Sequence, residues 1–192
     1  YGNSSGYGCF SASEYWHAIM DDNDVRWGVM DYDHMHGTEA RSSWPVCCYK
    51  YSGNPSLAGD GKSTSTAVNI KVIRLSEVYL LAAECYCRTN NNAKAAELLN
   101  AIAERNPNYT PWTSATVSVD AVFNEYRREL LGEGKLFFEA IRQNRTIRFE
   151  DDAWGFGTTT NYRESAIDRT FFRTILPISQ DEINANPGIQ QN

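Results

Sequence analysis

No stretch of this 192-residue chain approaches the roughly twenty consecutive apolar residues that a membrane helix needs. Basic charge is short as well. Eighteen lysines and arginines face twenty-four acidic residues, a net charge of −6, so nucleic acid and anionic membrane surfaces are not expected partners. The five cysteines are an odd number with no CxxC pair among them, which argues against a zinc site or a redox motif. Cys47 and Cys48 are adjacent, and Cys85 and Cys87 stand two apart on a predicted helix, pointing to nearly opposite sides. Idle or buried thiols are expected. Also missing are GxSxG, a P-loop, HExxH and a dinucleotide fingerprint. The GDGK at Gly59 to Lys62 lacks the earlier glycine of a phosphate loop and reads as a turn. No cofactor is expected. The chain opens at Tyr1 without an initiator methionine or signal segment, and reads as a piece of a longer protein.

What is present is a globular composition, 42% hydrophobic and 22% charged, in a chain long enough for one ordinary core. Aromatics reach 12%, with eleven tyrosines and five tryptophans. Rings on that scale fill cores, and they also suit ligands with apolar faces, sugars among them.

Residues 1–69 read as a loop-rich segment with one short helix. Ser11 and Glu14 have capping-box spacing, and Tyr15, Trp16, Ile19 and Met20 then fall on one face. Residues 70–149 hold the strong helical signals. Ile70 to Arg88 is apolar on most sides, broken by a stripe of Arg74, Glu77, Leu81, Glu84 and Arg88. A polar TNNN turn leads to a second helix with Ala95, Leu98, Leu99 and Ile102 on one face. The two make an antiparallel hairpin of the kind found in tetratricopeptide repeats, with no second copy visible. Ser118 caps a third helix whose Val119, Val122, Phe123, Tyr126 and Leu130 face a core. Gly132 and Gly134 mark either a break or a close approach in the helix that follows. Residues 150–192 read as loop, an extended FFRTILPIS, and a capped turn of helix ending at an Asn-Pro-Gly turn. The expected fold class is mainly α: tetratricopeptide-like helix hairpins with long irregular loops and few short strands.

Glu125, Glu129 and Glu133 lie four apart on one helix face. A pair of carboxylates can serve as acid and base on a glycosidic bond. Such pairs usually come from separated parts of a fold, whereas glutamates interleaved with Arg127, Arg128 and Arg142 suit ion pairs along and between helices. Arg74, Glu77, Glu84 and Arg88 supply partners of both signs, so a structural network is expected rather than a catalytic one. In MDYDHMH, Asp31 and Asp33 fall on one side of a strand and His34 and His36 on the other; a solvated turn is expected there and no metal. Tyr1, Tyr7, Trp112 and Trp154 lie in polar, loop-like surroundings and are the candidate ligand-stacking rings. Trp16, Trp27 and Trp44 fit a core equally well.

Three blocks then resemble one family. IRLSEVYLLAAECY with NNNAKAAELLNAIAER, EYRRELLGEGKLFFEAIRQN and ILPISQDEINANPGIQQN are similar, in order and spacing, to the helical hairpin, the charged signature and the terminal segment of the SusD/RagB family. Weaker echoes lie in DNDVRWG and YKYSG. The residues carrying the resemblance are Arg74, Glu77, Glu84, Arg128, Glu129, Glu133, Gly134, Arg142, Pro177, Asn186 and Pro187, read as scaffold. Departures from the family pattern stand at Tyr126, Leu131, Gly132, Lys135, Glu139 and Ser179.

The resemblance implies the C-terminal portion of a longer, non-catalytic protein of Bacteroidetes-type bacteria. Such a protein captures an oligosaccharide or other nutrient for a TonB-dependent outer-membrane transporter. It implies a place on the extracellular face of the outer membrane, held by a lipid anchor outside this fragment. Two other classes stay open: a helical glycoside hydrolase using loop carboxylates such as Asp31 or Asp152, and a purely structural or protein-interaction helical module.

Overall fold

A computed structural model of the chain describes residue 16, residues 19–21 and 23–26, and residues 71–148, 166–171, 174–186 and 188–191. These fall into two compact units, one running through Leu136 and the other from Phe137 onward. Most of the described elements are helices, as expected.

Among the described residues, three helices with defined bounds build the first unit. The first, α1 (Leu75–Arg88), begins later than its apolar pattern suggests. Arg74 stands at the N-cap in extended conformation, φ −136° and ψ 162°, and its carbonyl accepts from the Glu77 and Val78 amides. Val72 and Ile73, read as helical from their apolarity, are exposed and precede the helix. Apolarity alone does not choose a conformation; the helix begins after Arg74, whose side chain goes to Glu129 and Glu133.

The TNNN turn ends α1. Asn90 takes the left-handed conformation, φ 61°, and the Asn91 amide returns to the Tyr86 carbonyl at 2.8 Å. Asparagine tolerates that backbone better than most residues, which is why the sequence signals a turn there. The chain reverses into α2 (Asn92–Ala103), whose Ala95, Ala96, Leu99, Ile102 and Ala103 are buried. The third helix, α3 (Val119–Glu129), starts at Ser118, whose hydroxyl accepts from the Ala121 amide at 3.1 Å. Leu80 and Ala83 of α1, the α2 face, and Val117, Ala121, Val122, Tyr126 and Leu130 form one apolar core. Ala83 of α1 and Ala95 and Ala96 of α2 are small members of this core. The expected core faces of α2 and α3 are the buried ones, except that Leu98 and Val119 are half-buried.

After α3 the backbone breaks at Gly132 and Gly134, with φ of 75° and 70°. A Cβ added at Gly134 would meet nothing within 4 Å, so the glycine is required by backbone conformation and not by close packing. Lys135 then turns back toward the start of α1, donating to the Val72 carbonyl at 2.5 Å and lying 3.0 Å from Glu77 Oε2.

The second unit holds α4 (Leu136–Arg142), a two-residue antiparallel pair and α5 (Gln180–Ala185). Asn144, φ 56°, closes α4 much as Asn90 closes α1, and the Arg145 amide returns to Ala140. Ile147 and Arg148 (β1) pair with Ile167 and Ala166 (β2). β2 falls inside the stretch expected to be loop and β1 at the end of the segment expected to be helical; two residues carry no alternation that a sequence pattern could register. From sequence the stretch FFRTILPIS reads as a short extended piece ending at Pro177. Among its described residues, the Thr174 amide donates back to the Phe171 carbonyl in a tight turn, and residues 176–179 belong to no described helix. Ser179 caps α5, accepting from the Glu182 amide at 3.3 Å. The Gln191 side-chain amide pairs with both backbone groups of Ile178, at 2.8 and 3.1 Å.

Candidate functional site

The helical repeat of α3 stacks Glu125 over Glu129, and Glu133 follows where the helix has ended. Against them comes Arg26, far away in sequence. Its Nη1 reaches Glu125 Oε1 at 2.5 Å and Glu129 Oε2 at 3.5 Å. Its other nitrogens form a fork on Asp24, with Nε to Oδ1 at 2.8 Å and Nη2 to Oδ2 at 2.6 Å. A backbone bond, from the Arg26 amide to Asp24 Oδ1 at 2.9 Å, holds the carboxylate that holds the guanidinium.

Arg74 serves the other side of the same ladder. Nε lies 2.9 Å from both oxygens of Glu133, while Nη1 reaches Glu129 Oε1 at 2.6 Å. Nη2 donates to the Glu129 carbonyl oxygen at 2.6 Å, and Nη1 also to the Ser76 hydroxyl. Glu129 therefore stands between two guanidinium groups, with Arg105 a further 3.6 Å contact. Arg128 closes the set, donating from Nη1 to Glu125 Oε2 at 2.9 Å and from Nε to the Ile19 carbonyl at 2.6 Å.

The carboxylates and Arg26 are sheltered from water, whereas Arg74 and Arg128 are a fifth exposed and Arg105 half exposed. The side chains of Glu125, Glu129 and Glu133 are 3%, 2% and 1% exposed, and that of Arg26 6%. Burial by itself pushes the Asp24 carboxyl up, but the hydrogen bonds and charge of Arg26 outweigh it and hold Asp24 below the usual carboxylate range. Burial likewise opposes the charge on Arg26, and Asp24 and Glu125 more than restore it. Arg74 is raised in the same way, with Glu133 and Glu129 overcoming desolvation.

Chemically, this set of carboxylates is occupied by cations. A glycosidase acid needs a carboxyl held protonated near neutral pH beside a substrate, whereas these accept from fixed guanidinium groups in a dry setting. What the geometry does is tie together the 24–26 segment, the start of α1 and the end of α3.

The predicted charged stripe on α1 divides in three. Arg74 goes to Glu129 and Glu133, Glu77 to Lys135, and Glu84 to Arg88 one turn on at 2.6 Å. Arg142 pairs locally with Glu139 at 2.5 Å. Asn186 caps the end of α5, Pro177 is exposed, and Pro187 lies outside the described residues. Asp24 and Arg26 were not singled out from sequence, although they lie within the DNDVRWG echo. The available signal was an acid and a base two residues apart in an otherwise loop-like stretch, a spacing that lets the acid cap the backbone amide of the base.

Of the candidate stacking rings, Trp112 is described. It is half-buried, lies against the apolar core, and its backbone is held by the Asn100 side chain in two hydrogen bonds of 2.8 and 2.9 Å. Tyr1, Tyr7 and Trp154 lie outside the described residues, as do Trp27, Trp44, Asp31, Asp33, His34, His36 and Asp152. Trp16 is buried. Among the described residues no three His, Cys, Asp or Glu side chains are grouped to hold a metal, and no helix is long and apolar enough to cross a membrane.

Comparison with known proteins places this arrangement. A curated SusD-like protein from Formosa agariphila, P25, is 31% identical over 123 residues, covering 60% of this chain and 22% of that one. A SusD superfamily protein from Bacteroides vulgatus superposes with a TM-score of 0.80 at 29% identity, covering all of this chain and 40% of its own. Another from Bacteroides thetaiotaomicron gives 0.77 at 31% identity, with 94% of this chain and 40% of that one covered. The chain thus spans well under half the length of these relatives. The SusD family profile matches residues 3–192, and the chain belongs to the SusD family.

Proposed function

We propose that this chain is the C-terminal portion of a cell-surface protein that captures a glycan or similar nutrient and works with a TonB-dependent outer-membrane transporter. The observation that carries this reading is the family match over residues 3–192, together with a fold shared along the whole chain with SusD superfamily structures. The protein is a binder and not a catalyst, and needs no cofactor. It sits on the extracellular face of the outer membrane through a lipid anchor carried elsewhere in the full protein. The ion network is scaffold, while the aromatic-bearing loops meet the ligand. Trp112 suits that role because Asn100 fixes its backbone while the residue, packed against the core, stays partly exposed.

The test is calorimetric titration of the full-length protein with a panel of oligosaccharides, followed by chromatography of the recovered sugar. Saturable binding with intact sugar is expected, weakened by Trp112→Ala. Cleaved sugar would replace this reading with the hydrolase one; no binding across the panel, and no co-purification with a transporter, would leave the helical module.

A further inference from the structure

The residues between Ile19 and Arg26 are attached to the helices in a different way from the way the helices are attached to each other. The α1–α2–α3 core is apolar, and none of the described residues from Ile19 to Arg26 belongs to it. Their recorded ties are polar. The Ile19 carbonyl accepts from Arg128, Asp21 accepts from Asn106, and the Val25 amide donates to the Arg105 carbonyl. The strongest tie is Arg26 to Glu125 and Glu129, completed by Asp24. Val25, by contrast, is 63% exposed.

We propose that this segment is a strap latched to α3 by charge, which acid releases while the helical core stays folded. The geometry sets the logic. Among the described residues, the groups bonded to the Arg26 guanidinium are carboxylates: Asp24 from the strap, and Glu125 and Glu129 from α3. Cations lie around those carboxylates, namely Arg128 on α3, Arg105 after α2, and Arg74 before α1. At neutral pH the charges alternate. Protonating the carboxylates leaves Arg26 buried without counter-charge, which is costly in itself, while Arg74 and Arg128, a fifth exposed, and Arg105, half exposed, stay charged around the same carboxylates. Acid also weakens the ion pairs of Arg74 with Glu129 and Glu133 and of Lys135 with Glu77, but α1, α2 and α3 keep the apolar core that joins them, whose members are apolar apart from the Tyr126 hydroxyl.

The sign follows from the direction for Asp24. Its folded-state pKa is depressed, so its contribution is present above the ordinary carboxylate value and is lost as pH falls through the lower folded value.

Hydrogen exchange of the chain across pH, corrected for intrinsic exchange, tests this. The amides of Val25 and Arg26 are expected to lose protection by about tenfold or more in acid, before the amides of α1, α2 and α3 do. Glu125→Gln combined with Glu129→Gln, which mimics the protonated state, should release the same amides at neutral pH. Retained helix protection in that variant shows that it has folded; if it does not fold, the acid series on the unaltered chain decides. Strap and helices losing protection together, or a strap still protected where the helices melt, would overturn the proposal.

Discussion

Arg26 and Glu125 are 99 residues apart in sequence, and their side chains meet at 2.5 Å with almost no exposure to water. The pair turns a stretch without core residues into part of the folded unit. Removing the cation leaves Asp24, Glu125 and Glu129 buried with less counter-charge, which is costlier than never having had the pair. Arg26→Ala is therefore expected to destabilise the protein by about 3–5 kcal/mol, read from the urea midpoint. A loss below about 1 kcal/mol would show the pair to behave like a surface one.

Gly134 gives a cleaner backbone test. Its φ of 70° is disfavoured for an L side chain although space is open around it. Gly134→Ala should cost about 1–2 kcal/mol, with no clash to relieve. Gly188 is the control: an added Cβ meets Asn186 Oδ1 at 3.7 Å, ordinary contact, and the substitution should change stability by less than about 0.5 kcal/mol. Equal costs at the two positions would contradict the argument.

Two serine caps differ in consequence. Ser118 starts a helix with seven buried residues, and Ser179 starts one with none. Ser118→Ala should lower global stability by about 1 kcal/mol. Ser179→Ala should instead raise exchange within α5 and leave the global midpoint nearly unmoved. Thermal melts alongside amide exchange would separate the two.

The paired thiols on α1 should react unequally. Cys85 is exposed, whereas Cys87 is half-buried, with its thiol pushed up by burial and by the nearby Glu84 charge. Since thiolate is the nucleophile, alkylation at pH near 8 followed by peptide mass mapping should mark Cys85 first. Glu84→Gln should speed Cys87 modestly; no change would assign the protection to burial alone.

Local physics made much of this protein legible. Helices α2 and α3 carry a one-sided apolar repeat, Ser118 and Ser179 are capping residues, Asn90 permits a tight reversal, and two glycines interrupt a helix. Each of these acts within a turn or two of chain, so its residue type alone constrains the backbone. The charged residues were legible only as an inventory. Nothing in a sequence says that Arg74 leaves its own helix for Glu129 and Glu133, or that Glu77 takes Lys135. Arg26 was invisible as a partner, because an ion pair closing over that separation depends on where helix packing brings α3. Packing also decided that Val72, Ile73 and Leu75 face out while Leu80 and Ala83 face in, though all are apolar. Local conformation follows from short-range sterics and capping; the choice of partner waits on tertiary structure, since only the folded chain sets which long side chains share a dry space.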